Sequence, residues 1–383
     1  MGKCFYKIFY LLFLTALYSC GRLSADDSQP LIPIDFSVRD YTAEVKGISL
    51  TTDNISSFGV FAALEENSQA GFSDVDASEL QPFMDNVPVT KDASGRWTAN
   101  PPYYWPILND KSLSFFAYAP HSYAADMEVV AGWGEESQVK DRKSVEIRYT
   151  LNSNPAKHVD LSVAAAILDR VRDTDGDGNI DPVVFGFRHT LAAVSFAANY
   201  IGNLPEGCYL RIDELTIGQL VNSNTLIYDS SQSDFFEWNT ITPQTPRTGS
   251  YVLNVGSLTI AASHRINQKS TDLQVEDIYT DFVTVDGVLY ALPQEVNPAG
   301  LQNKAKMDIT FSYVKNDSHA VVAQFYTSVD LPNSMLEVSR KYKYQFTLDV
   351  TTASLINISC VDKGAWIIDW NDSKNNHSDT IIK

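Results

Sequence analysis

Across residues 342–350 every second position is apolar. Tyr342, Tyr344, Phe346, Leu348 and Val350 alternate with Lys343, Gln345, Thr347 and Asp349. An extended chain sends successive side chains to opposite faces, so this pattern fits a strand with one face in a core and fits no helix. The same alternation stands near the start, where Ile32, Ile34, Phe36 and Val38 are interleaved with Pro33, Asp35, Ser37 and Arg39. Runs rich in aromatic and β-branched residues at 58–64, 113–120, 145–151, 191–200, 209–217, 251–260, 282–291 and 307–314 read as further strands. Turn clusters at 152–155 and 201–207 separate them. One stretch, 161–172 with Ala164, Ala165 and Ala166 inside it, reads instead as a helix.

Many strands and little helix predict an all-β chain built of β-sandwich domains. The 383 residues are enough for two. A boundary within 186–205 divides the chain into an N-terminal sandwich over 31–190 and a C-terminal one over 191–383. With 11% aromatic and 20% charged residues the composition is that of a folded protein, not of a disordered one. The formal net charge of -18 repels phosphate backbones, and no Lys/Arg-rich run offsets it, so nucleic acid is not a partner.

The N-terminus speaks to location. Lys3 and Lys7 precede an apolar stretch at 8–17, which is of signal-peptide length and too short to span a bilayer. It ends in Leu17-Tyr18-Ser19-Cys20, which resembles a bacterial lipobox. That resemblance implies removal of residues 1–19 and acylation of Cys20, with an outer-membrane lipid anchor as the outcome. Two or three acyl chains anchor stably where one is marginal. A secretory signal with an incidental cysteine is the plainer alternative. Residues 20–30 are small and polar and read as a tether, and Asp26-Asp27 resembles the acidic export tag of surface-exposed lipoproteins. Cys208 and Cys360 remain in the body, either as a disulfide or as buried free thiols.

Residues 173–182 read Asp-Thr-Asp-Gly-Asp-Gly-Asn-Ile-Asp-Pro. Calcium takes six to eight oxygen ligands, and alternate residues of a tight loop can converge on one point. Asp173, Asp175, Asp177, Asn179 and Asp181 stand at the spacing of such a loop, with Gly178 where the chain must turn. An EF-hand would carry Glu at the twelfth position, which here is Val184, and residues 182–185 read as a strand rather than an exit helix. The expectation is therefore a structural calcium loop outside the EF-hand frame. An acidic hairpin without metal is the alternative.

Patterns for catalysis are missing. The six histidines share no ligand spacing, and there is no metalloprotease motif, nucleophile elbow, P-loop or dinucleotide fingerprint. The chain is expected not to be an enzyme. His189, at the entry to an apolar strand, reads as a structural group.

Several segments together resemble the fimbrillin family. They are Tyr103-Tyr104-Trp105-Pro106 followed by residues 113–120, then Asp160-Leu161-Ser162-Val163-Ala164. Next come Phe187, His189, Leu191, Ala192, Val194 and Phe196, and last the strand at 344–350 with Trp370. The resemblance implies two transthyretin-like β-sandwiches in tandem and a short strand, not a helix, at the start of 161–172. It also implies a pilus subunit or pilus-associated adhesin, exported as a lipoprotein to the cell surface. Proteolysis would remove the first strand, about 31–41, after Arg39 or Lys46. A strand from another pilus subunit would fill the vacated groove by β-augmentation. The donor would come from the C-terminal end, either Trp366, Ile368 and Trp370 or, more weakly, Thr380 and Ile382, although 366–370 also reads as the last core strand of its own domain. A host or bacterial surface molecule is the expected adhesion ligand. A surface glycan-binding lipoprotein is the second reading, for which Tyr103, Tyr104 and Trp105 would have to form an exposed platform.

Overall fold

The computed structural model describes residues 30–38, 55–69, 71–108, 110–121, 127–131, 143–173, 176, 179–229, 235–262, 265–266, 279–282, 289–365 and 380–382. Among these the regular structure is strand, with one short 3-10 turn at Pro155–Lys157 that Asn154 caps by accepting from the Ala156 N–H. No helix among them is long and apolar enough to cross a membrane.

The first half of the chain forms a nine-stranded sheet. In chain order its strands are β1 (Phe36–Val38), β2 (Ser57–Glu65), β3 (Gln81–Lys91), β4 (Trp97–Ala99) and β5 (Ser112–Ala119). Two further strands, β6 (Met127–Ala131) and β7 (Ser144–Thr150), belong elsewhere. The sheet resumes with β8 (Ser162–Ala164), β9 (Ile167–Arg170), β10 (Val183–Phe185) and β11 (Phe187–His189). The order across it is β10-β1-β4-β3-β2-β5-β8-β11, with β9 also on β5. Only Gly186 separates β10 from β11 in the chain, so the two ends of the sheet meet and it curls upon itself. Its concave face encloses one core, containing Phe36, Phe58, Val60, Trp97, Phe115 and Phe185.

The helix expected at 161–172 is not there. The segment is β8 and β9, as the family pattern implied for its start. β8 pairs with β5 on one side and β11 on the other, and Ala164 is fully buried against the curled core. Two ladders of hydrogen bonds and a buried methyl outweigh the modest helix preference of three alanines.

The convex face of β2 and β5 carries Phe61, Phe116 and Tyr118 into a second, larger core. A four-stranded sheet covers it, in the order β15-β14-β7-β6, where β14 is Ser223–Asp229 and β15 is Phe236–Trp238. β7 and β14 pair over seven residues, from Ser223↔Thr150 to Asp229↔Ser144. This sheet therefore takes two strands from each side of residue 190. Tyr228 meets the edge of Phe116 at 5.0 Å and donates its hydroxyl hydrogen to the Ala164 carbonyl.

Two larger sheets, and a short pair of Gln294–Glu295 with Met335–Leu336, complete the described sheets. In one, β12 (Ala192–Ile201) runs parallel to Arg340–Asp349, which pairs with Ser354–Ala365, which in turn pairs with Thr380–Ile382. In the other, β13 (Cys208–Leu220) pairs with Lys306–Lys315, and Val321–Asp330 forms the outer edge. Tyr342, Tyr344, Phe346 and Leu348 are all buried, as their alternation predicts. Cys208 and Cys360 are free thiols.

The crossing from the curled sheet to the rest is tied at 189–191. His189 Nδ1 lies 2.5 Å from Asp160 Oδ2, both side chains being buried. Trp238 Nε1 donates to the Thr190 carbonyl at 2.8 Å, and the Ser339 N–H donates to the Leu191 carbonyl at 3.0 Å.

Candidate functional site: the slot filled by the first strand

Ile34, Phe36 and Val38 point into the curled core and are 3%, 4% and 8% exposed, while Ile32 packs on its margin. Each buried side chain of this size is worth on the order of 2 kcal/mol. The period-2 pattern of this segment thus meets its purpose inside the protein's own first sheet.

The backbone around β1 explains how the segment is held. On one side it runs parallel to β10, with Phe36↔Val183, Ser37↔Val184 and Val38↔Phe185 in register, and the Val183 N–H donates to the Asp35 carbonyl at 2.9 Å. On the other side Phe36 faces Trp97 of β4, the Ile34 N–H donates to the Tyr103 carbonyl, and the Trp105 N–H donates to the Ile32 carbonyl. β1 is thus inserted between two strands instead of lying on an edge. Among the described residues β10 has no other strand partner.

The walls of the slot are aromatic. Phe36 meets Phe58 and Phe115 edge-on at 6.3 Å each, and stacks on Phe185 at 6.0 Å. Trp105 closes one end against Phe115 at 6.0 Å. Without β1 this would be a trough of unpaired backbone groups and apolar rings, open to any strand of the same alternation.

Of the other predicted residues, Cys20, Arg39, Lys46, Asp175 and Asp177 lie outside the described residues, as does the segment 366–370. In the acidic loop, Asp173 Oδ1 accepts the Gly176 N–H at 2.8 Å, and Asn179 and Asp181 are exposed just before β10. Tyr103, Tyr104 and Trp105 form no exposed platform: Trp105 is buried at 3%, Tyr103 packs on Phe83, and Tyr104 is the exposed one. Sequence reasoning missed Trp97 and Phe185 as slot walls. Phe185 follows Val183 at period 2, and that spacing was the available signal.

The fold and the slot define an all-β chain of several sheets whose first described strand is seated between two others. Comparison with known proteins narrows the class. Residues 49–362 match the profile of the Fimbrillin-like family, and the chain belongs to that family. A curated relative, fimbrium subunit Fim1C of Phocaeicola vulgatus, is 22% identical over 329 residues, covering 82% of this chain and 83% of its own. The crystal structure of a fimbrial protein from Bacteroides vulgatus superposes with a TM-score of 0.59 at 19% identity, covering 88% of this chain and 99% of that one, and shares its fold.

Proposed function

We propose that this chain is a fimbrial subunit or fimbria-associated adhesin, exported as a lipoprotein acylated at Cys20, held at the outer-membrane surface and assembled by strand exchange. Its role is structural and adhesive and involves no catalysis. Proteolysis after Arg39 or Lys46 releases the first strand, and a strand from a neighbouring subunit takes its place. The observation that carries this reading is the seat of β1, inserted between β10 and β4 with Phe36 against three phenylalanine rings. In this reading 31–190 and 191–383 are two sandwich units joined through the shared four-stranded sheet.

The acidic loop supports the same reading as a brace. Its donors are all oxygen, which suits a hard cation such as calcium. Asp181 stands just before β10, the strand that borders the slot, so a cation held by Asp173, Asp175, Asp177, Asn179 and Asp181 would steady the slot's rim.

The deciding experiment is limited proteolysis with trypsin followed by gel electrophoresis without heating. Cleavage after Arg39 or Lys46 should convert the monomer into heat-sensitive ladders, and a synthetic peptide of residues 31–41 added in excess should suppress them. Clean cleavage that leaves only monomers would sink the assembly reading.

A further inference from the structure

A polar cleft of about 420 Å³ opens on the side of the molecule built from β13 and two loops. Its lining includes Gln219, Gln244, Gln302 and Asn303, together with Arg247 and Leu301. The volume lies in the range of small-ligand sites. The cleft is separate from the slot of the first strand, and occupancy of one does not require exchange of the strand in the other.

Arg247 is the unusual member. It is only 8% exposed, yet a guanidinium is charged at any physiological pH. Nη2 donates to the Glu295 carbonyl at 2.9 Å, and Nη1 has a long 3.4 Å contact to Gln294 Oε1. Nε has no hydrogen-bond partner among the described residues. No described carboxylate reaches ion-pair distance of it. Glu295 attracts Arg247 from beyond that distance while its Oε1 accepts from Asn333 Nδ2. At that range Glu295 is too far to offset the burial of the guanidinium, and an anion in the cleft would supply a closer counter-charge.

The four amides have a different character. Gln219, Gln244, Gln302 and Asn303 are exposed at the rim, and among the described residues their side chains make no hydrogen bond to protein. The loops are fixed without them, for example by the turn in which Thr242 N donates to Thr245 Oγ1 and Thr245 N to the Thr242 carbonyl. Gln219 also takes a left-handed φ of 64° at a bulge in β13, a conformation that costs a non-glycine residue energy and clusters at binding sites. Each amide offers a donor and an acceptor side by side, which matches neighbouring hydroxyls of a sugar ring. Leu301, Pro243 and Pro246 supply apolar wall for the ring's C–H face.

We propose that this cleft binds a carboxylate-bearing sugar, with Arg247 taking the carboxylate and the rim amides taking the hydroxyls. A bare carboxylate would use the guanidinium and leave the amides idle. A neutral sugar would leave the guanidinium with only the distant Glu295 carboxylate as counter-charge. A uronic acid uses both.

The test titrates the full chain with D-glucuronate, D-glucose and acetate and follows binding by isothermal calorimetry and by amide NMR shifts. Glucuronate should bind about tenfold or more tightly than either comparison compound, since a charge-assisted pair adds this much. Shifts should centre on Arg247, Gln302 and Asn303. Arg247→Gln should abolish the preference over glucose. Because a buried arginine can matter for folding, Gln302→Ala and Asn303→Ala on the exposed rim are made in parallel, and each should weaken glucuronate severalfold with the melting temperature unchanged. Acetate binding as tightly as glucuronate, equal binding of glucose, or no shift at these residues would each overturn the proposal.

Discussion

The rings of Phe36 and Phe185 stack 6.0 Å apart and within 12° of parallel, on neighbouring strands that run in the same direction. One belongs to the first strand of the chain, the other to the strand that closes the curled sheet. The contact therefore fastens the tenth strand in chain order, next to last of the sheet's members, to its first.

Phe36→Ala empties the centre of the slot. Such a truncation in a closed core costs about 3–5 kcal/mol. Urea unfolding should show that loss, and the region around β10 should lose hydrogen-exchange protection before the rest. Equal protection in variant and parent would show that the stack is not what holds β10.

Asp160 and His189 form a buried hydrogen bond at the crossing between sheets. Asp160→Ala removes an acceptor from a fully buried site and should cost about 1–3 kcal/mol. Asp160→Asn keeps an acceptor oxygen and should recover part of the loss. Chemical denaturation of the two variants side by side distinguishes a positional hydrogen bond from mere filling of space.

His158 carries a pH signature. Its Nε2 lies 2.7 Å from the Asn152 carbonyl, which can only accept, so the neutral ring holds its proton on Nε2. Nδ1 has no partner among the described residues, and the ring packs edge-on to Tyr251 at 5.1 Å. Burial pushes its pKa down from 6.5 to about 4. The unfolded chain takes up a proton near 6.5 and the folded one does not. Stability from this group is complete above that pH and falls as pH drops toward 4, by on the order of 3 kcal/mol. His158→Gln should flatten the slope over that window in denaturation curves.

Glu65 acts in the opposite sense. Burial raises its pKa above 4.5, against hydrogen bonds donated by Ser112 and by Ser114 at 2.7 Å. Its contribution to stability is full below the unfolded value and is lost as pH rises through the folded one. Glu65→Gln should be more stable than the parent at pH 8 and lose that advantage near pH 4. A penalty at pH 8 would show that the serine bonds to the carboxylate outweigh its desolvation.

For the acidic loop, calcium should raise the melting temperature of the parent protein, and Asp175→Ala should cancel the rise. No shift in the parent would remove calcium from the account.

The parts legible in the sequence are those with one apolar and one polar face. Residues 342–350 and the first strand announce themselves because rings and aliphatic groups fill one face and polar side chains the other, although Gln345 and Thr347 are themselves buried. Val321–Asp330 does so only faintly, since it is a sheet edge whose inward face at Ala323, Phe325 and Val329 is half-buried and whose other face exposes Tyr326, which blurs the alternation. β3 is obscured by Pro82, Pro88 and register shifts in its pairing with β2. The slot itself was half legible. The alternation of Ile34, Phe36 and Val38 marked the occupant, but its neighbours β4 and β10 are three residues each and far away in the chain. The cleft around Arg247 left no trace in the sequence, because a buried arginine and four amides have no spacing in common.

The four-stranded sheet that spans residue 190 sets an order of events during synthesis. A chain emerging from its N-terminus can make β6 and β7, but an isolated two-stranded hairpin is marginal in water. β14 and β15 must arrive before that hairpin gains its partners and the rings of Phe61 and Phe116 gain their cover. The outer face of the curled sheet therefore keeps aromatic surface open to the solvent or to a chaperone until at least residue 238 has been delivered.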